Sequence, residues 1–390
     1  MTLISVLVPV LNEESRVAKT IASILAQPGA DLEVLVADGR SVDETAAVVA
    51  RIAAGDSRVR LVDNPDMSIP AGLNLCLQHT RGEFIARVDG HSELSAGYFR
   101  RALTTLSESP GMAGVGGHRV GVGRTPAGRA IALVQSSRFA VGNSIYHYAD
   151  RAQLTDHATF GVYRAEAVRQ VGGWDEQLTV NEDVDFDHRL RATGWTIGYE
   201  PAMRVHWDVR ERIRDLFAQY RRYGRGKAGM VRKNGPAAVR LRHLVPPAAV
   251  GGGVGLLIGG VVERWLLTGF APYLTLVFLA SALAWRKRVA TGRTSAAALP
   301  AAFLVIHLGW GLGFVEGLLG LKPARASGSG AVRSQANGAV REAMYRARGS
   351  TPLNPGGDSV FEARGATPLN PRKDYEVSRK RDVATSVPPT

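Results

Sequence analysis

Ile4-Ser5-Val6-Leu7-Val8-Pro9-Val10-Leu11-Asn12-Glu13-Glu14 is the stretch on which the fold turns. Its near-continuous apolar run reads as a strand buried on both faces, and it stops at Asn12-Glu13-Glu14. A helical spacing follows from about Ser15 to Gln27. Leu32-Glu33-Val34-Leu35-Val36-Ala37 is a second strand, Val42–Ala54 a second helix and Val59–Val62 a third strand. Phe84-Ile85-Ala86-Arg87-Val88 is a fourth strand, ending at Asp89. Buried strands alternating with helices predict a parallel sheet covered on both faces. Ligands of such sheets bind beyond the carboxyl ends of the strands, where Glu13, Asp38 and Asp89 stand. The opening run does not read as a secretory signal: it is short, has no basic start and ends in charges.

The remainder of the 390 residues is organised by charge. The length predicts about two to three units at roughly 150 residues each. A hydrophobic content of 45% excludes a wholly disordered or collagen-like chain. The single cysteine, Cys76, excludes an internal disulfide framework and a zinc site built from several thiolates. The net formal charge of +13 is unevenly spread. Residues 1–203 hold 19 basic and 24 acidic side chains, whereas residues 204–242 hold 12 and 3. This basic collar precedes three uncharged runs, Leu244–Val262, Trp265–Trp285 and Thr294–Val315, of 19, 21 and 22 residues. A span needs about 20 apolar residues, so each run is long enough to cross a bilayer; the first, with Pro246-Pro247 near its start and many glycines, is the weakest and also suits a re-entrant or interfacial segment. A juxtamembrane collar therefore accounts for the basic charge better than nucleic-acid binding does, and no nucleic acid is expected as a partner.

The expected organisation is an N-terminal α/β domain over 1–235, a basic interfacial collar over 204–242 and a membrane domain over 243–321. The membrane domain holds two to four hydrophobic segments, three by direct reading. A basic disordered tail occupies 322–390. The collar places the N-terminal domain on the cytoplasmic face of a multi-pass membrane protein. The crossing number stays open, because three spans would put the basic tail outside and two or four would keep it inside. The tail repeats Arg348-Gly349-Ser350-Thr351-Pro352-Leu353-Asn354-Pro355 as Arg364-Gly365-Ala366-Thr367-Pro368-Leu369-Asn370-Pro371, which suggests a docking motif for a protein partner or a pair of Thr-Pro phosphosites, with duplicated filler as the alternative.

Three constellations carry chemistry. Asp89-Gly90-His91 puts a carboxylate and an imidazole two residues apart after a buried strand, a pair that suits a divalent cation such as Mn²⁺, while Mg²⁺ prefers oxygens. Asn181-Glu182-Asp183-Val184-Asp185-Phe186-Asp187-His188 opens a helix on which Asp183 and Asp187 share a face. Capping and solvation explain such carboxylates as well as a general base at Asp183 does, one whose pKa its acidic neighbours would raise. Gln219-Tyr220-Arg221-Arg222-Tyr223-Gly224-Arg225-Gly226-Lys227 suits either an interfacial anchor or a sugar-and-diphosphate cradle.

Taken in order, these stretches resemble glycosyltransferase family 2, which has the GT-A fold. Ser5–Glu14 resembles the family's first strand and donor loop, and Asp38-Gly39-Arg40-Ser41-Val42-Asp43-Glu44-Thr45 its D-G-x-S-x-D-x-T stretch. Gly72-Leu73-Asn74 with Gly82-Glu83-Phe84-Ile85 is similar to its G-x-N and G-E-[YF]-I stretches. Asp89-Gly90-His91 stands where D-x-D falls, Glu182-Asp183 where the acidic pair falls, and Gln219–Tyr223 resembles Q-x-x-R-W with Tyr for Trp. The succinoglycan-synthesis glucosyltransferase group is the most similar branch.

The resemblance implies an inverting, metal-dependent enzyme. It moves one sugar from a nucleotide-sugar, UDP-glucose by default, to a polyprenyl-diphosphate-linked or other membrane glycan acceptor in cell-envelope or exopolysaccharide synthesis. It implies donor contacts from Pro9, Asn12, Glu13, Asp38, Asn74 and Asp89, and a divalent cation on Asp89, His91 and His206. Asp183 would be the base beside Glu182, and Trp174, Gln219, Arg222 and Tyr223 would flank the acceptor. The alternatives are a polyprenyl-monophosphate sugar synthase, a short-chain processive synthase, or a membrane scaffold on a silent domain. A dehydrogenase is disfavoured because no G-x-G-x-x-G follows the first strand.

Overall fold

The computed structural model describes residues 2–178, 180–235, 241–287 and 293–321. The first half alternates as β1 Leu3–Val10, α1 Val17–Leu25, β2 Asp31–Asp38, α2 Thr45–Gly55, β3 Val59–Asp63, α3 Ile69–Leu77 and β4 Phe84–Arg87. β3, β2, β1 and β4 lie side by side and all parallel. Alternation along β1 explains its unbroken apolar run. Ile4, Val6 and Val8 pack with Ile21, Val34 and Phe99 in one cluster, while Leu7 packs with Leu35, Leu73, Ile85 and Phe186 in another.

The polar exceptions tie strands together. Ser5 Oγ donates to buried Glu33 at 2.6 Å and accepts from the Gly82 N–H at 2.9 Å, and Glu33 also accepts from the Arg81 N–H at 2.7 Å. A Cβ at Gly82 would sit 2.7 Å from the Ser5 nitrogen, so that position needs glycine.

Beyond β4 the sheet becomes mixed. The chain runs through β5 Ser92–Leu94, α4 Tyr98–Ser107, β6 Met112–Val122, α5 Pro126–Gln135, α6 Arg138–Val141, β7 Gln153–Thr155, β8 Val162–Arg164, α7 Ala165–Gln170, α8 Glu182–Ala192 and β9 Thr196–Asp208. The full order is β3-β2-β1-β4-β8-β6-β9-β5, with β7 also on β9. β8 is antiparallel to both β4 and β6, and β9 is parallel to β6. This brings β4 and the start of α8 to one end of the sheet.

Residues 111–160, which show little periodicity in sequence, hold β6, α5, α6 and β7. Glycine hides the strand pattern of β6 because its neighbours crowd it: a Cβ at Gly116 would lie 2.6 Å from the Ala158 backbone.

The chain continues as α9 Ile213–Asn234, α10 Leu241–Val262, a 3-10 turn Arg264–Phe270, α11 Ala271–Arg286 and α12 Ala298–Leu318. Three stretches, Leu244–Val262, Arg264–Arg286 and Ala298–Leu318, are long and apolar enough to cross a membrane. The expected tail repeats lie outside the described residues, as does part of the basic loop before α12.

Candidate active site

At the carboxyl ends of β1 and β2, two loops are locked together. Asp38 accepts from Ser41 Oγ at 2.6 Å and from the Ser41 N–H at 3.1 Å. Ser41 Oγ takes the Asn12 N–H at 2.9 Å, Asn12 Oδ1 takes the Val42 N–H at 2.9 Å, and Thr45 Oγ1 takes the Glu13 N–H at 2.7 Å. Asn12 and Arg40 hold the left-handed backbone that these bonds require, at φ of 56° and 57°. The D-G-x-S-x-D-x-T stretch is thus a clamp between two strand ends. Pro9, Asn12 and Asp38 sit together there, although none of them lines the main cavity.

A second cluster joins β4 to α8. Arg87 Nε donates to Asp89 at 3.3 Å and Arg87 Nη2 donates to Glu182 at 2.9 Å, so one guanidinium bridges the two acidic motifs. Glu182 is buried, and desolvation raises its pKa even against the Arg87 charge. His91 Nδ1 lies 3.1 Å from Glu13 Oε1. Burial works against ionising this pair, but their bond and charges outweigh it, holding His91 above and Glu13 below the ordinary value.

Asp183 sits in the first turn of α8, after Asn181 in a left-handed conformation at φ 63°. Its side chain is 37% exposed, so an incoming hydroxyl can reach it. His157 Nε2 lies 3.6 Å from Asp183 Oδ2, and His157 Nδ1 is bonded to Asp187 at 2.7 Å. Asp187 is fully buried and also accepts from the Ala158 N–H and from Tyr163 Oη. Asp187 therefore orients the imidazole that faces Asp183.

The electrostatics reverse the expected shift at Asp183. Desolvation would raise its pKa, but the His157 and Arg87 charges hold it below the ordinary carboxylate value. His157 is correspondingly raised: burial opposes its charge, and Asp183 and Asp187 override that. The neighbours that matter are cations, not the other acids of the helix.

Asp89, His91, Glu182, Asp183, Gln219, Arg222 and Tyr223 all line one cavity of about 1120 Å³. Gln219 Nε2 donates to Tyr223 Oη at 3.1 Å. Several buried polar atoms on this wall have no hydrogen-bond partner among the described residues: Arg87 Nη1, Arg119 Nε, Gln135 Oε1 and Gln219 Oε1. Arg119 itself stacks on Trp207, 4.0 Å from the ring centroid.

Besides Pro9, Asn12 and Asp38, three more expected site residues lie outside this cavity. Trp174 is 3% exposed and stacked on Phe186 at 4.6 Å, so it is a core residue with no face for a sugar. Asn74 clamps the turn before it, donating to the Trp174 carbonyl at 2.7 Å and accepting the Trp174 N–H at 2.9 Å. His206 pairs with Glu93 across β9 and β5 and lines a second cavity of about 420 Å³, which it shares with His91. Among the described residues, no three His, Cys, Asp or Glu side chains gather closely enough to form a ready metal cluster.

Arg87, Arg119, His157 and Asp187 complete the site without having been singled out as site residues. Arg87 carried a legible signal, since a lone cation two residues before Asp89 in an apolar strand must point with it. His157 and Arg119 carried none, lying in the aperiodic 111–160 stretch.

The mostly parallel sheet, covered by helices, delivers an arginine-bridged pair of acidic motifs to one cavity, and its architecture is GT-A-like. Residues 5–172 match the family model of glycosyl transferase family 2, and they form a family 2 glycosyltransferase domain. The chain is 29% identical over 323 residues to the succinoglycan biosynthesis protein ExoA of Rhizobium meliloti, covering 80% of this chain and 94% of that protein. It is 34% identical over 110 residues to the GalNAc(5)-diNAcBac-PP-undecaprenol beta-1,3-glucosyltransferase of Campylobacter jejuni, covering 28% of this chain and 34% of that enzyme. In fold it is similar to the mannosyltransferase PcManGT from Pyrobaculum calidifontis, solved with GDP-Man and Mn²⁺. The TM-score is 0.53 at 20% identity, over 82% of this chain and 88% of that one.

Proposed function

We propose that this glycosyltransferase moves a single sugar from a nucleotide-sugar to a lipid-linked acceptor, with inversion, at the cytoplasmic face of a membrane. One observation carries the reading. The cavity holding Asp89, Asp183, Gln219, Arg222 and Tyr223 continues onto the apolar side chains Tyr273, Leu276, Ile306 and Trp310 of the membrane-domain helices. A substrate with a polar, charged head and a hydrocarbon tail fits such a wall.

Asp183, ionised, accepts the proton of the acceptor hydroxyl as that oxygen attacks the anomeric carbon. The bond from that carbon to the donor diphosphate breaks on the opposite face, which inverts configuration. His157, held by Asp187, keeps Asp183 ionised and in place, and Glu182 positions Arg87. Arg87 Nη1 and Arg119 Nε are buried donor atoms without partners among the described residues, which suits an anionic diphosphate. Asp89 and His91 would hold a divalent cation: with His91 Nδ1 on Glu13, its Nε2 remains for the metal, and a mixed oxygen and nitrogen set suits Mn²⁺. When bound, that ion supplies positive charge to the departing diphosphate. Arg222 and Tyr223 flank the acceptor head.

UDP-glucose is the expected donor, by similarity to the succinoglycan group. Detergent-solubilised protein is offered UDP-glucose, UDP-galactose, GDP-mannose or UDP-GlcNAc with Mn²⁺ and a polyprenyl-diphosphate-sugar acceptor. The reading expects one donor to be used, a single sugar added and transfer lost on chelation. No transfer from any donor, together with no metal-dependent nucleotide binding, would overturn it.

A further inference from the structure

We infer that the third apolar helix, α12, does not cross the bilayer: it lies along the catalytic domain with both ends on that side, and the α10–α11 hairpin is the lipid-inserted element. This rests on the membrane reading above and adds which segment enters. By length and composition α12 is as good a span as the other two. Its surroundings differ. Half of its apolar window is buried inside the protein, against 6% and 11% for the two preceding stretches.

The burial comes from the catalytic domain and runs from one end of α12 to the other. Before its first turn, the Ser295 N–H donates to the Pro126 carbonyl at 3.0 Å and Arg129 Nε donates to the Arg293 carbonyl at 2.8 Å. In its middle, His307 Nε2 lies 2.8 Å from the Phe139 carbonyl. Over its second half, Gly309, Gly313 and Gly317 fall four residues apart and rest on the α9 backbone at Phe217, Arg221 and Arg225. The partners also advance by fours, so the two helices run parallel with backbones nearly touching. A Cβ at Gly309 would lie 2.9 Å from the Phe217 carbonyl, and one at Gly313 would overlap that of Arg221. Glu316 then binds Arg221 and Arg225, and Arg232 Nη1 donates to the Gly317 carbonyl at 3.1 Å.

A helix fixed in this way cannot enter hydrocarbon alone. With it would go α9, carrying Arg221, Arg222, Arg225 and Lys227, and then α8, because Asn181 Nδ2 is bonded to the Tyr223 carbonyl two residues from Asp183. Cations and an active-site carboxylate at bilayer depth are costly. The exposed stripe of α12 (Leu308, Leu312, Val315, Leu318) faces away from α9 and suits the boundary of the lipid. Among the described residues, the hairpin has no such tether at its tip, where Ile258, Val261, Val262 and Trp265 are more than 60% exposed. This arrangement also keeps Leu321, the last described residue, on the catalytic side, the side that the basic charge of the sequence beyond it favours.

The test uses the full chain in sealed vesicles and a membrane-impermeant maleimide. Cys76 stays silent because it is buried, with its thiol pushed up to about 12 by desolvation. Single probes are Val42→Cys, on the exposed surface of the catalytic domain, and Leu321→Cys, just past α12. Both are expected to label from the same side of the membrane. Labelling of Leu321→Cys from the side opposite to Val42→Cys would overturn the inference. Release of the whole chain by carbonate washing is a separate failure, removing the membrane reading and the inserted hairpin with it.

Discussion

The two strand-end clusters of this domain look alike in sequence and behave differently in structure. At β1–β2, Asp38, Ser41, Asn12 and Thr45 spend their polar atoms on one another and on loop N–H groups. At β4–α8, Arg87, Glu182, Asp183, His157 and Asp187 reach across elements, leaving Arg87 Nη1 without a partner among the described residues and the Asp183 carboxylate partly exposed to the cavity. Both are rich in carboxylates and hydroxyls. A polar residue satisfied within its own loop fixes shape. One held by a distant charge, with an edge still open, is set up for chemistry.

Substitutions separate the two roles. The largest loss of activity is expected for Asp183→Asn, which keeps the shape and removes the base: transfer should fall by about 10³-fold with the melting temperature nearly unchanged. Arg87→Met should lose both activity and stability. It strands buried Glu182, a change that typically costs about 3–5 kcal/mol, read by denaturant unfolding.

His157→Gln should have an intermediate effect, about tenfold on turnover at neutral pH, with a diagnostic pH profile. In the native protein the His157 charge holds the Asp183 pKa down, so activity persists toward acid. Without that charge the Asp183 pKa rises, and the acidic limb of the rate profile moves to higher pH. The smallest effect is expected at the clamp. Ser41→Ala removes two hydrogen bonds, for about 1–2 kcal/mol of stability, and leaves turnover within about twofold. If Ser41→Ala abolished transfer while the fold survived, the contrast between the two clusters would fail.

The parallel half of the sheet was legible because β1, β2 and β4 are buried on both faces and bounded by helices of clear period. Glu182-Asp183 and Asp89-Gly90-His91 were legible as motifs, and the helical spacing put Asp187 beside Asp183. What joins them was not. His157 follows a segment in which the glycines of β6 accommodate Tyr163, Ala158 and Met203, so no apolar period survives. Trp174 was misplaced because a tryptophan beside a Gly-Gly turn reads the same whether it faces a ligand or Phe186. The sign of the Asp183 shift depended on Arg87 and His157, which are 96 and 26 residues away along the chain. Local charge density gave the opposite sign.

The central claim is that Asp183 is the base of a sugar transfer in the cavity it shares with Asp89. The most direct test measures nucleotide-sugar binding and lipid-acceptor glycosylation side by side for the native chain and Asp183→Asn. The expected result is equal donor affinity with transfer reduced by about 10³-fold. Transfer within tenfold of native in Asp183→Asn would contradict the claim.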